Sequence, residues 1–223
     1  MKLIIQIPCL NEEEVLPETL AALPRQVPGF DVVEWLVIDD GSKDATVKIA
    51  RRHGVDHIIS HKRTKGLARA FMTGLNECLR VGADVIVNTD GDNQYVAADI
   101  PKLVAPIVNS EADIVVGARP IDTHKEFSAT KRFLQKLGSA VVRQVSHTGV
   151  ADTTSGFRAF SRDAAQRVMV FNEYTYTLET IIQAGHRKLM ITSVPVRVNR
   201  VTRPSRLFTS IPSYIRQSLI TIV

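Results

Sequence analysis

Two rhythms of apolar and polar residues alternate along the first half of the chain. Short apolar runs at 3–7, 32–38, 55–60, 85–87 and 113–117 are rich in Val, Ile and Leu. Runs of that length and composition, bounded by polar turns, read as buried strands. Between them the apolar residues recur at helical spacing. The clearest case is 66–81, where Leu67, Ala70, Phe71, Gly74, Leu75 and Cys78 share one face. Asn11, with Glu14 three residues on, predicts a helix start, and the helix should reach about residue 23 with Pro17 disturbing its first turn. Asp44 is placed to cap a helix ending at Arg52. Another helix should open at Ala98-Asp99, with Pro101 at a tolerated early position. Such alternation predicts an α/β fold: a parallel sheet with helices on both faces.

After Arg119 the rhythm breaks. Residues 121–130 form a polar loop, and 131–145 a basic amphipathic helix. The polar stretch Asp152 to Arg158 enters a short strand. Short helices are expected at 164–168 and 177–184, and a strand at 189–199. Phe208, Ile211, Ile215, Leu219 and Ile222 then recur at helical spacing to the end. The chain thus divides into 1–118, 119–206 and an amphipathic stretch, 207–223. It has no internal repeat and no low-complexity segment.

With 223 residues and 44% hydrophobic content, the chain can bury one sizeable core. Charge changes the picture more. Residues 1–118 hold 12 Lys and Arg against 17 Asp and Glu, a net −5; residues 119–223 hold 16 against 6, a net +10. Beyond Lys188 stand Arg197, Arg200, Arg203, Arg206 and Arg216 and no acid. A one-sided basic half points to an anionic partner or a solvated basic face. Cys9 and Cys78 give no disulfide framework and read as buried free thiols, which suits a reducing cytosolic compartment. No signal peptide or run of 18 apolar residues is visible.

Polar, acidic tips follow the first, second and fourth strands. In open α/β sheets such tips face one crevice at the carboxyl ends of the strands. The fourth tip reads Asp90-Gly91-Asp92. It is either an Asp-Gly turn or a pair of carboxylates joined by a hard divalent ion such as Mg²⁺ or Mn²⁺. Gly91 would let the backbone turn tightly enough to bring both onto one point. Lys65-Gly66 opens a helix, an arrangement that favours phosphate. His53, His57 and His61 lie four apart but straddle a strand, so they form no helical metal face.

Several of these stretches carry a resemblance. Ile7-Pro8-Cys9-Leu10-Asn11-Glu12, Val37 to Thr46 with its Asp39-Asp40-Gly41-Ser42 core, and Asp90-Gly91-Asp92 resemble motifs of family 2 glycosyltransferases. Asp152 to Phe160 and Arg203-Pro204-Ser205-Arg206-Leu207 look more like the branch with dolichyl-phosphate mannose synthase and the polyprenyl-phosphate glycosyltransferases. The resemblance runs in order along essentially the whole chain. It implies a GT-A fold, a Rossmann-like nucleotide-binding sheet with acceptor-side elements after it. It also implies inverting, metal-dependent transfer of a sugar from a GDP- or UDP-linked donor to a polyprenyl phosphate, at the cytoplasmic face of a membrane.

The same resemblance assigns roles. Pro8, Leu10, Asn11, Glu12, Asp39 and Asp40 line the nucleoside pocket, with Lys65, Gly66, Asp90 and Gly91 completing the nucleotide site. Glu12 would accept from ribose hydroxyls, and Asp90, Asp92 and Gln94 would hold the metal. Arg119, Arg132 and Arg203 are expected at the acceptor phosphate, since guanidinium suits phosphate bidentately. Asp152, Ser155, Gly156, Phe157, Arg158 and Arg206 shape the acceptor side. A phosphate monoester, with a second pKa of about 6, is already anionic at neutral pH and needs charge more than a base. A saccharide hydroxyl acceptor would need one, and Glu179 is the candidate. Membrane contact is expected from the apolar stripe after Phe208 with its flanking arginines. An RNA-binding role would leave the acidic crevice without a task, so no nucleic-acid partner is expected. The sequence sets no oligomeric state.

Overall fold

The computed structural model describes residues 1–120, 129–171 and 175–199, and within 129–137 the helical backbone alone. The strands are β1 (Lys2–Cys9), β2 (Val32–Asp39), β3 (His57–Ser60), β4 (Val85–Asn88), β5 (Ile114–Ala118), β6 (Arg158–Ser161) and β7 (Ile191–Pro195). The helices are α1 (Leu16–Ala22), α2 (Thr46–Arg52), α3 (Leu67–Arg80), α4 (Ile100–Val108), α5 (Ala129–Ser146), α6 (Arg162–Arg167) and α7 (Thr177–His186). The strands form one sheet in the order β3-β2-β1-β4-β6-β5-β7. All neighbours are parallel except β6, which runs antiparallel between β4 and β5.

Alternation along each strand divides the core between the two faces. Leu3, Ile5 and Ile7 of β1 pack with Leu16 and Leu20 of α1 and with Ile100, Leu103 and Val104 of α4. Ile4 of β1 and Ile86 of β4 pack on the other face with Phe71, Leu75 and Cys78 of α3 and Ala164 of α6. Leu178 and Ile181 of α7 close a smaller cluster with Val142 of α5 and Val116 of β5. Central parallel strands buried on both faces need the continuous apolar runs that the sequence shows. Both cysteines are free and buried, as expected.

Two local expectations are corrected. Asn11 does not cap α1, which begins at Leu16 with no side-chain cap; its Oδ1 accepts from Lys43 N instead, and its φ is 54°. The strands expected after Arg119 do form, and β6 and β7 extend the sheet. The strand expected at 189–199 is split: 191–195 pairs with β5, and Val198 bridges to Tyr95 across the end of the sheet. Asp44 does meet the start of α2, its Oδ1 accepting from Thr46 N at 3.0 Å. Among the described residues no helix is long and apolar enough to cross a membrane.

Candidate active site

The tips of β1, β2 and β4 meet at one end of the sheet. Cys9 at the end of β1 is in register with Asp39, and Gln6 with Asn88. The β1 tip is held over β2 by Asn11 N donating to Ser42 Oγ (2.8 Å) and Glu12 N to Thr46 Oγ1 (2.8 Å). The loop after β4 fits beneath it. A Cβ on Gly91 would lie 3.0 Å from Cys9 Sγ and 3.4 Å from the Pro8 carbonyl oxygen. Gly91 is favoured by close approach, and the chain turns at residues 91–92 as expected, without a positive φ at Gly91. Thr19 of α1 donates to the Gly91 carbonyl at 3.0 Å and fixes the loop from the far side.

Asp90 and Asp92 stand at this tip. Burial, then the neighbouring Asp92, push the Asp90 carboxyl up to about 7, with Arg119 and Arg158 pulling the other way. Two carboxylates in this relation need a cation or a proton. Asp92 Oδ1 accepts from Gln94 N at 3.2 Å, which folds the backbone around the motif. Among the described residues no three or more His, Cys, Asp or Glu side chains form a metal cage. Two carboxylates and an amide supply oxygen donors of the kind Mg²⁺ and Mn²⁺ take while leaving positions for phosphate oxygens.

The loop before β6 forms the opposite wall. Gly156 lies directly against the motif: a Cβ there would be 3.0 Å from Asp90 Oδ1 and 2.9 Å from the Tyr176 hydroxyl. Two tyrosines clamp its peptide. Gly156 N donates to the Tyr95 hydroxyl (3.0 Å), and the Tyr176 hydroxyl donates to Gly156 O (3.2 Å). Asn88 Nδ2 also donates to Gly156 O (2.9 Å) and to the Tyr176 hydroxyl (2.7 Å), while Gln6 Nε2 donates to Asn88 Oδ1 (2.9 Å). This buried network joins β1, β4, the 152–157 loop and the start of α7. Beside it, Arg119 and Asp152 form a bidentate pair at 2.6 and 3.0 Å, with Arg119 Nη2 also on Thr154 Oγ1 at 2.7 Å.

The sequence profile described as glycosyl transferase family 2 matches residues 4–169. The chain belongs to that family. It is a glycosyltransferase. A UDP-N-acetylglucosamine–dolichyl-phosphate N-acetylglucosaminyltransferase of Methanococcus voltae is 32% identical over 214 residues, covering 86% of this chain and 83% of that protein. An undecaprenyl-phosphate mannosyltransferase of Micrococcus luteus is 31% identical over 175 residues, 75% of this chain and 70% of that one. Glucosyl-3-phosphoglycerate synthase of Mycobacterium tuberculosis in complex with UDP superposes with a TM-score of 0.76 at 21% identity, covering 99% of this chain and 78% of that one. It has also been crystallised with Mn²⁺, UDP and its glucosylated product. The shared architecture is the GT-A fold expected from the sequence.

The glycosyltransferase brings Pro8, Leu10, Asn11, Glu12, Asp39, Asp90, Gly91 and Asp92 together, but it uses several expected residues differently. Asp40 is buried. Its oxygens accept from Lys65 N (2.9 Å) and Gly66 N (2.8 Å), and Oδ1 lies 2.7 Å from His61 Nδ1. It therefore secures the 61–66 loop instead of facing the nucleotide, and the amides before α3 expected to bind phosphate are taken. The Lys65 side chain stays exposed and lines an open recess of about 500 Å³ with Arg63, Thr64 and Arg69. Asp39 Oδ1 accepts from Ser42 N at 2.9 Å, the turn bond of the β2 tip.

On the acceptor side Arg158 is fully buried. Its guanidinium donates to the carbonyls of Ser155, Thr177 and Thr153 and to Thr180 Oγ1. Burial lowers its pKa to about 10. It braces the acceptor-side loop from inside, so any part it has in shaping that side is indirect. Phe157 is likewise core, stacked on Tyr95 with ring centroids 5.0 Å apart. Ser155 is buried, its Oγ 3.5 Å from the Tyr95 hydroxyl. Arg119 spends Nε and Nη2 on Asp152 and Thr154. Glu179 Oε1 accepts from Phe171 N at 2.9 Å and Gln183 Nε2 at 3.2 Å, holding the loop before α7. Arg132 is on α5, where side chains lie outside the described residues; Arg203, Arg206 and 207–223 lie outside them altogether. Sequence reasoning missed Gln6, Asn88, Tyr95 and Tyr176. The signal was faint: Gln6 interrupts an otherwise apolar strand, and Asn88 ends another.

Proposed function

We propose that this enzyme is an inverting, divalent-metal-dependent transferase that moves a sugar from a nucleoside diphosphate sugar to a polyprenyl phosphate. The observation that carries the reading is the meeting of Asp90 and Asp92, two carboxylates in need of a cation, with the Gly156 wall at the ends of β1, β2 and β4. The relatives that act on dolichyl and undecaprenyl phosphates support the acceptor class. The Mn²⁺ and UDP complexes of the synthase support the donor class and the metal.

In this reading Pro8, Leu10, Asn11, Glu12 and Asp39 hold the nucleoside. Lys65, with Arg63 and Arg69 beside it, adds charge at the rim of the crevice. Asp92, Gln94 and Asp90 would hold Mg²⁺ or Mn²⁺, which when bound neutralises charge on the departing diphosphate. The acceptor phosphate oxygen attacks the anomeric carbon from the face opposite the diphosphate. One carbon–oxygen bond forms as the other breaks, and the nucleoside diphosphate leaves. No side-chain base is needed, because the acceptor is already ionised. Arg119 contributes field while Asp152 orients it; Arg132, Arg203 and Arg206 are assigned to the acceptor phosphate. Residues 1–118 serve the donor and 119–206 the acceptor within one sheet, and 207–223 is assigned to the membrane surface.

The test is a panel of GDP- and UDP-sugars incubated with a polyprenyl phosphate, read as lipid-linked product. Product that needs Mg²⁺ or Mn²⁺ and vanishes in Asp92→Ala is expected. Product found only in water-soluble glycans, with a large loss in Glu179→Ala, would move the acceptor to a saccharide hydroxyl. Unchanged liposome binding after removal of residues from Phe208 onward would defeat the membrane assignment.

A further inference from the structure

The segment after β7 has a place in the site that the reaction above leaves unused. Val196 N still donates to Ala118 O of β5, and residues 197–199 then run beside the loop that follows Asp92. Tyr95 and Val198 form an antiparallel bridge. Val96 N donates to Arg197 O at 3.3 Å, and Asn199 N donates to Gln94 O at 2.8 Å. The Arg197 guanidinium is fastened to the buried carboxylate of Asp99, with Nη2 2.9 Å from Oδ1. The strap therefore has a fixed end.

Asn199 uses that fixed end. Its side-chain Nδ2 lies 2.9 Å from Asn93 O, 3.2 Å from Asn93 Oδ1 and 3.3 Å from Tyr95 O. Asn93 has a φ of 55°. This left-handed conformation is disfavoured for residues with a Cβ, and asparagine tolerates it better than most. Asn93 is also the single residue between Asp92 and Gln94. A left-handed residue departs from the simple alternation of extended chain, so the conformation of Asn93 sets how Asp92 and Gln94 are directed relative to each other, with Gln94 N donating to Asp92 Oδ1 at 3.2 Å. The angle at Asn93 thus decides whether Asp92 and Gln94 converge.

We propose that Asn199 is a positioning residue for the divalent-cation site. It locks Asn93 in the left-handed conformation, so that Asp92 and Gln94 are presented together to the ion and the nucleoside diphosphate. The inference rests on the metal reading of Asp92 and Gln94 given above. Contacts behind the ligands of a metal site commonly change affinity by about 10–100-fold, and that is the effect expected here.

The experiment measures Mn²⁺ binding by calorimetry with saturating UDP or GDP. It compares the wild type, Asn199→Ala, Asn93→Gly and the double variant. Asn199→Ala should weaken Mn²⁺ binding about tenfold or more. Glycine reaches the left-handed region without a Cβ penalty, so in the Asn93→Gly background the same change should cost less than threefold. Mn²⁺ affinity in Asn199→Ala equal to the wild type overturns the proposal. An equal penalty in both backgrounds overturns it too, because the effect would then bypass Asn93. Should Asn199→Ala fail to fold, Asn199→Ser is judged by the same two criteria. A wild type that binds no Mn²⁺ with either nucleotide overturns the metal reading itself, and the inference with it.

Discussion

Replacing Asp90 by Asn separates the cost of the site from its use. In the protein without metal, burial and Asp92 raise the Asp90 carboxyl from 3.8 to about 7. At about 1.4 kcal/mol per pH unit, that displacement corresponds to a ceiling of about 4 kcal/mol against the ionised form. The carboxylate is only half-buried, and water screens part of the penalty, so about 2 kcal/mol is expected. Asparagine keeps the shape and removes the charge. Metal-free Asp90→Asn should therefore be more stable than the wild type at pH 8, by about 4–8 °C in Tm for a domain of this size.

The pH course of that gap is fixed by linkage. A carboxyl whose folded pKa exceeds its unfolded pKa binds its proton more tightly in the folded state, so ionisation costs stability. The cost is absent below about pH 4, grows through pH 5 and 6, and is complete above about pH 7. Urea denaturation in EDTA at pH 5, 6, 7 and 8 should show the variant's advantage widening in that order. Mn²⁺ with a nucleoside diphosphate should stabilise the wild type and reverse the ranking, while transfer activity of the variant falls by about 100-fold or more. A variant less stable than the wild type in EDTA, or a gap that stays constant from pH 5 to 8, refutes the reasoning.

Other substitutions probe the wall opposite. Arg158→Leu strands three carbonyls and a hydroxyl, and should cost about 3–5 kcal/mol in urea denaturation. Its folded fraction should keep the acceptor KM, whereas a large KM change with little loss of stability would return Arg158 to the substrate. Asp152→Ala leaves Arg119 buried without its bidentate partner and should cost about 3–5 kcal/mol. The double variant Asp152→Ala/Arg119→Met should recover part of that loss in the same assay. Gly156→Ala pushes a methyl group against the Asp90 carboxylate and the Tyr176 hydroxyl. A fall in kcat of about tenfold or more is expected, and a variant with wild-type turnover would show that the wall yields.

The sheet was legible because its central strands are buried on both faces and must be apolar throughout. What the sequence did not reveal depends on contacts far apart in the chain. The four residues of β6 begin with an arginine and carry no sign that they will insert between β4 and β5. Asp39 and Asp40 both fall within the nucleoside motif, and only the return of the 61–66 loop shows that Asp40 is already spoken for. Arg158 is grouped with the acceptor-side loop by sequence, and its work as an internal brace is not legible there, because its cage comes from residues 153, 155, 177 and 180, on two separate segments. The acidic tips carry their motifs in the sequence, whereas the difference between a ligand and a brace lies in side-chain direction, which long-range contacts set.

Arg119 and Arg158 both stabilise the charge on Asp90, yet each directs its bonds into the protein. In the proposed reaction they are background field: they favour the ionised form of the half-buried Asp90 without forming a fork that would compete with the metal for the donor phosphates. Placing two mobile arginines there would favour a nucleotide held by guanidinium alone, with no dependence on a cation. Committing one to Asp152 and the other to backbone carbonyls removes that competitor. On the proposed acceptor, the grip on its phosphate is assigned to other arginines of the basic half, so charge removal at Arg132 or Arg203 should raise the acceptor KM and leave Mn²⁺ affinity unchanged. Removing Asp152 should instead loosen Arg119 and alter both.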